Sequence, residues 1–275
     1  MKEEDFYFPF GEKLKKVEQK DKTPKEVFVL GVYASAVHAK WIDAKGKQKV
    51  SALAVASEPE IFWRGENAES IISTIKIPNE LGKLVVPNKS FNGPSGQILD
   101  DLFLSPLGIK RDSAWLCDIV PFSRINKNQK NALNTHYTND IIQKYNLKSV
   151  SISDFDQSEL DSEERRKEIV DELKLSKAKK IILLGDLPIK YFLNYFDKKY
   201  NKLSQFGVAS EDYGKEHNIE IEGEIYKVIP LCHPRQAGRL GTSTSKWGKL
   251  HDYWVKKQLN NSRNNRVYQR SKQNR

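Results

Sequence analysis

Four short apolar runs constrain the fold most. They are Val27-Phe28-Val29-Leu30-Gly31, Ala114-Trp115-Leu116-Cys117-Asp118-Ile119, Lys180-Ile181-Ile182-Leu183-Leu184-Gly185-Asp186 and residues 227–231. Runs this short and this continuous read as strands buried on both faces, as in a parallel sheet covered by helices. Helical patterns separate them. Residues 96–107 set Ile98, Leu99, Leu102, Phe103 and Leu107 on one stripe, and residues 158–175 form a charged amphipathic helix. Residues 188–196 open with proline in the first turn, and residues 245–257 close the body as a helix. The alternation predicts an α/β fold, a three-layer α/β/α arrangement around a central, mostly parallel four-stranded sheet.

Residues 39–56 alternate weakly around Asp43-Ala44-Lys45-Gly46, as a hairpin does. Residues 57–90 read as irregular, either a packed surface loop or the wall of an enlarged pocket. Phe6, Tyr7, Phe8 and Phe10 are the apolar anchors of an otherwise charged start. The expectation is a single domain over 1–258, with 1–25 packed on it as an extension and 259–275 as a basic, unstructured tail.

Several classes are excluded by composition. No apolar run approaches the roughly 20 residues of a membrane span. The opening Met1-Lys2-Glu3-Glu4-Asp5 lacks the apolar stretch of a signal peptide. Two cysteines, Cys117 and Cys232, supply neither a disulfide framework nor four thiolates for a metal cluster. A cytoplasmic protein with no metal, no organic cofactor and no obligate protein partner is expected. The formal charge is +10, and the segment 259–275 carries five basic residues and no acid. A basic body with a basic tail points to a polyanion such as DNA, against the plainer reading of a lysine-rich, merely soluble protein.

In open α/β sheets ligands bind beyond the carboxyl ends of the strands. That rule selects residues 31–35, 118–123, 185–186 and 233–239. Around these positions four fragments occur in order. Phe91-Asn92-Gly93-Pro94-Ser95-Gly96-Gln97-Ile98-Leu99-Asp100 matches the F-x-G-x-x-G-x-x-L-D segment of the iron–sulfur uracil glycosylases. Trp115-Leu116-Cys117-Asp118 matches a strand that ends there in asparagine, Ile182-Leu183-Leu184-Gly185 matches the strand before a crossover helix, and His233-Pro234-Arg235 matches an H-P-S motif. Together, over about 27–255, they resemble the uracil-DNA glycosylase superfamily. The resemblance implies a DNA glycosylase acting on double-stranded DNA, which flips a base into a pocket and cleaves its N-glycosidic bond.

The resemblance assigns roles. His233 would face the base O2 and stabilise the leaving anion, and Phe91 would stack on the flipped pyrimidine; their plain alternatives are a loop histidine and a core phenylalanine. Leu240 would wedge into the gap left in the duplex. Arg235, Gln236 and Arg239 would hold the DNA backbone, with Ser245 and Lys246 adding phosphate contacts unless 241–246 is only a helix cap.

The departures from the family pattern are equally informative. Only two of the four cluster cysteines are present. The first motif, G-E-A-P-G or G-Q-D-P-Y in the family, here reads Gly31-Val32-Tyr33-Ala34-Ser35, so its water-activating acid and its proline are missing. Asp43, His38 and Asp118 are the candidates for that role. Tyr33 and Ser35 would line the base pocket, and Ser35 leaves room at C5 where uracil-specific members carry tyrosine. Asp118 replaces the asparagine that reads uracil. A carboxyl accepts from the cytosine amino group and, when protonated, donates to N3. The alternatives are that Asp118 caps the loop or positions water.

The expected function is therefore a monofunctional glycosylase for a modified pyrimidine, a C5-substituted cytosine such as glucosylated hydroxymethylcytosine, in bacterial defence against phage DNA. The competing expectations are a repair glycosylase for uracil or another deaminated base, and a non-catalytic DNA-binding module of the same fold. A serine hydrolase around Ser95 is disfavoured, because no G-x-S-x-G elbow is present.

Overall fold

The computed structural model describes residues 6–241 and 245–273. Among these described residues eight strands follow in order: β1 (Val27–Tyr33), β2 (Ala36–Ile42), β3 (Gln48–Ser57), β4 (Lys83–Val85), β5 (Ala114–Val120), β6 (Lys180–Leu184), β7 (His217–Ile221) and β8 (Glu224–Leu231). They form a five-stranded sheet of order β5-β1-β6-β8-β7 and a three-stranded sheet of order β3-β2-β4.

The four apolar runs are β5, β1, β6 and β8, side by side in the larger sheet. β1 pairs parallel to β6, and β6 pairs parallel to β8. The fifth strand, β7, adds to the expected four. It pairs antiparallel to β8 at the edge, through a tight turn with positive φ at Glu222 and Gly223. Its sequence, His217-Asn218-Ile219-Glu220-Ile221, buries only Ile219 and Ile221 fully. A strand with one buried face shows no continuous apolar run, which is why the chain reads as four-stranded from sequence.

The chain divides into two compact units, where the sequence reads as one domain. The units are interleaved along the chain, so no linker composition marks a boundary. The first comprises Met1–Glu18, Tyr33–Pro94 and Val120–Glu159. Its core includes Phe8, Trp41, Leu53, Trp63, Ile72, Leu133 and Ile152. Phe10 meets Trp41 and Tyr137 edge-on with centroids 5.3 and 5.2 Å apart, so the amino-terminal aromatics are packed. β2 and β3 form the expected hairpin, and its turn is closed by Asp43, whose Oδ1 accepts from the Lys45 and Lys47 amides at 2.9 Å. The irregular stretch is partly ordered into a helix, Ala68–Thr74, and β4. A further helix, Lys127–His136, starts with a capping box between Asn126 and Gln129.

The second unit comprises Gln19–Val32, Ser95–Ile119 and Leu160–Arg275. Phe28, Leu30, Phe103, Trp115, Ile182, Leu183, Phe192 and Trp254 are fully or almost fully buried. The charged helix spans Glu163–Ser176, capped by the Ser162 side chain. The last helix spans Trp247–Gln273, so it runs through most of the segment read as an unstructured tail. No glycine or proline follows Gly248, so the sequence contains no residue that stops a helix there. Among the described residues no helix is long and apolar enough to cross a membrane.

Candidate active site

The second unit places Asp118 two residues before the carboxyl end of β5, Gly185 one residue beyond that of β6 and His233 two residues beyond that of β8. β5 and β8 are separated by β1 and β6. Three inter-strand spacings put these two strands roughly 14 Å apart across the sheet.

Asp118 is only 2% exposed, and its Oδ1 has no hydrogen-bond partner among the described residues. Burial pushes its pKa up to about 7, against the opposing charge of Arg165 and with help from Glu172. The carboxyl is therefore poised between acid and carboxylate at neutral pH. Arg165 fixes the backbone here. It donates to the main-chain oxygens of Asp118 at 2.7 Å and Ile119 at 3.1 Å. Its outer face pairs with Glu168 at 2.8 Å and Glu172 at 3.0 Å.

His233 stands before the short helix Pro234–Ala237 and caps it. Its Nδ1 accepts from the Arg235 amide at 3.1 Å, while its own amide donates to Gln236 Oε1 at 3.3 Å. Proline in the first helical turn follows from the His-Pro order. Because Nδ1 accepts, the ring proton of the neutral form sits on Nε2. Burial and the Arg235 charge push the His233 pKa down to about 4, so the imidazole is neutral at physiological pH. Gly185 packs against this ring's stem with φ +92°, and a Cβ there would lie 3.4 Å from His233 Cβ.

The loop after His233 is tightly made. Leu240 donates its amide to the Arg235 main-chain oxygen at 2.9 Å, and Arg235 Nε returns a bond to Leu240 O at 3.4 Å. Gly238 lies where a Cβ would fall 2.1 Å from Ile98 Cδ1. Arg235 is exposed, whereas Gln236 is partly engaged in the cap. Arg239 pairs with Asp252 at 2.5 Å, which partly neutralises it. Ser245 Oγ accepts from the Trp247 amide at 3.0 Å and caps the last helix, and Lys246 lies 5.2 Å from the Trp247 ring centroid. Residues 242–244 of the same expected phosphate loop lie outside the described residues.

The first unit holds Tyr33, Ser35, His38 and Phe91. Tyr33 stacks on Phe155 with centroids 4.7 Å apart. Ser35 is exposed, and its main-chain oxygen accepts from the Ser123 hydroxyl. Phe91 is 41% exposed, so it is not an ordinary core phenylalanine. Its neighbour Asn92, buried, bonds reciprocally to β2: Oδ1 accepts from the His38 amide at 2.8 Å, and Nδ2 donates to His38 O at 2.9 Å. Gly93, with φ +77°, lies against the backbone of Arg64 and Gly65, which a Cβ would overlap. These anchors leave the Phe91 ring presented at the surface.

Two of the three candidates for activating water are otherwise engaged. The Asp43 carboxylate closes the hairpin turn. His38 is buried with its pKa pushed down to about 4, and its Nε2 lies 2.5 Å from Gln129 Nε2.

Sequence reasoning missed Arg165 and Asn92. Asn92 lies inside a fragment already singled out, beside Phe91. Arg165 sits among other charges on an amphipathic helix and carries no local signal.

A family model for the uracil DNA glycosylase superfamily matches residues 86–255, more than half of the chain. The chain belongs to that superfamily. The matched span contains Phe91, Asp118, His233 and the loop through Lys246. A search of the curated proteins returns no match. Superfamily membership supports a DNA glycosylase that binds DNA; Tyr33, Ser35 and His38 lie before the matched span.

Proposed function

We propose that the chain is a monofunctional DNA glycosylase that flips out and excises a C5-substituted cytosine, such as glucosylated hydroxymethylcytosine, in defence against phage DNA. The observation that carries the reading is the Asp118 carboxyl, buried, with an unpartnered oxygen and a pKa pushed up to about 7. In its acid form it offers one donor and one acceptor. Cytosine presents the complement, an acceptor at N3 and an amino donor at C4. Uracil presents the reverse order, with a donor at N3 and an acceptor at O4, and would need the acid's proton on the other oxygen.

The chemistry then needs little more from the protein. The C1′–N1 bond breaks and its electron pair leaves with the base, which becomes anionic at O2. The neutral His233 donates its Nε2 proton in a hydrogen bond to that oxygen, as a preorganised donor does for a developing anion. Water adds to the cationic C1′ and releases its proton to solvent, leaving an abasic site. Phe91 offers its exposed ring to stack on the base, worth about 1–3 kcal/mol. Arg235 supplies phosphate contact, Leu240 the apolar wedge, and the small Ser35 leaves space for a C5 substituent.

The test uses matched duplexes carrying uracil, plain cytosine or glucosylated hydroxymethylcytosine, followed by alkaline cleavage at abasic sites. Strand breaks at the modified cytosine alone are expected. Breaks at uracil instead would return the protein to deaminated-base repair. Salt-dependent binding with intact strands on all three, and on genomic DNA bearing other modified bases, would make it a binding module.

A further inference from the structure

A buried chain of hydrogen bonds lies behind the end of β8, made by residues with no role in the chemistry above. His251, on the helix Trp247–Gln273, is completely buried. Its Nε2 lies 2.9 Å from Leu102 O, and its Nδ1 lies 2.8 Å from the Tyr213 hydroxyl. The Cys232 amide reaches that same hydroxyl at 2.9 Å.

The direction of every bond is fixed from the ends inward. A carbonyl only accepts, so His251 Nε2 carries the proton toward Leu102. Nδ1 must then accept, so the Tyr213 hydroxyl donates to it. The Tyr213 oxygen is thereby free to accept from the Cys232 amide. Phe103 and Trp254 flank the imidazole with ring centroids 4.2 and 5.2 Å away, and Asp252 is the charged group acting on it. Burial holds His251 neutral, with its pKa pushed down to about 4, which preserves this polarity.

The peptide at the end of the chain is the one joining Leu231 to Cys232. Its other edge is held as well: Leu231 O accepts from the Gly185 amide at 2.8 Å. Both polar groups of that peptide are thus fixed, one residue before the His233 ring.

We propose that Tyr213 and His251 are positioning residues for His233, acting through the Leu231–Cys232 peptide. The inference rests on His233 acting on the leaving base. Freed from Tyr213, the peptide can rotate about its remaining bond to Gly185, and the imidazole shifts with it. A misplacement of about 1 Å in a catalytic group costs on the order of 100-fold in rate.

The test compares full-length wild type with Tyr213→Phe, His251→Asn and His251→Leu. Asparagine keeps an acceptor for the Tyr213 hydroxyl, and leucine removes it. Single-turnover excision should fall at least tenfold in Tyr213→Phe and His251→Leu, less in His251→Asn, with duplex binding within twofold of wild type. The His233 ring nitrogens, assigned by their loss in His233→Gln, give a second readout by 15N NMR without substrate. They should report the Nε2–H form in wild type and move toward mixed tautomers in Tyr213→Phe. That movement in Tyr213→Phe, with a wild type that cleaves none of the duplexes, would sustain the positioning role and sink the glycosylase reading. Unchanged His233 signals with excision within twofold in all three variants would overturn the positioning role. So would parallel losses of binding and rate, since a role in general stability alone predicts them.

Discussion

The Arg165 guanidinium holds the main-chain oxygen of Asp118 at 2.7 Å, while that residue's own Oδ1 stays without a partner among the described residues. One cation therefore fixes the backbone of this acid without neutralising its carboxyl directly. Excision should accordingly require the protonated acid and decline as pH rises through about 7. Asp118→Asn should abolish that alkaline limb, because an amide does not titrate. Arg165→Gln should move the limb to higher pH, since the lost charge favours the carboxylate. Rate profiles between pH 5 and 9 check both, and an unmoved limb in Asp118→Asn would refute the assignment.

The same acid should weaken the fold at alkaline pH. Its folded pKa, about 7, lies above the ordinary aspartate value of 3.8, so the folded state binds a proton that the unfolded state has lost between those values. Stability then falls as pH rises across that window and stays low above it. At about 1.4 kcal/mol per pKa unit the cost approaches ~4 kcal/mol at most. Asp118→Asn should raise the thermal midpoint at pH 8 by more than at pH 5, which melting curves at the two pH values will show.

His233 should impose no acidic limb on the rate above about pH 5, because its imidazole is already neutral there. His233→Ala should lower single-turnover excision by roughly 100- to 1,000-fold, the scale for removing a donor to a developing anion. Gly185→Ala probes the same ring from behind. Its φ of +92° disfavours any side chain, and the new Cβ would press on His233 Cβ. A loss of rate with duplex affinity retained is expected from quenched-flow and binding measurements.

Phe91 and Asn92 should separate into activity and stability. Phe91→Ala removes a largely exposed ring, so urea unfolding should move little while excision falls by about 1–3 kcal/mol of transition-state free energy. Asn92→Ala leaves the His38 amide and carbonyl unpaired in the interior, at about 1–3 kcal/mol for each. Its unfolding midpoint should therefore fall clearly.

Salt dependence should distinguish the two loop arginines. Arg235 is exposed and pairs with no carboxylate among the described residues, so Arg235→Ala should reduce the slope of log K against log salt by about 1. Arg239→Ala should reduce it less, because Asp252 already pairs with it. Fluorescence anisotropy on a labelled duplex at several salt concentrations reads both slopes.

How far the sequence revealed this molecule follows from where each residue's partners lie. The strands of the larger sheet were legible because burial on both faces writes itself as an unbroken apolar run, as in Val27-Phe28-Val29-Leu30. β7 buries one face and left no such mark. Asp118 and His233 could be singled out because strand ends are where sheets of this kind do chemistry. Arg165, Tyr213 and His251 act through partners 47, 19 and 149 residues away in the chain, and nothing local announces them. The division into two interleaved units was equally silent, since no linker composition marks it.

The pairing of β1 with β6 also sets a schedule for synthesis. Phe28 pairs with Ile181, so β1 is made roughly 150 residues before its parallel partner exists. At ordinary translation speeds that is on the order of 8–30 s of waiting. Every residue of the first unit, which ends at Glu159, has by then been added. A ribosome stalled between Glu159 and Lys180 thus holds all of that unit beside an apolar strand whose hydrogen-bonding edge toward β6 is open. Throughout that interval the β1 edge waits for the strand that pairs with it.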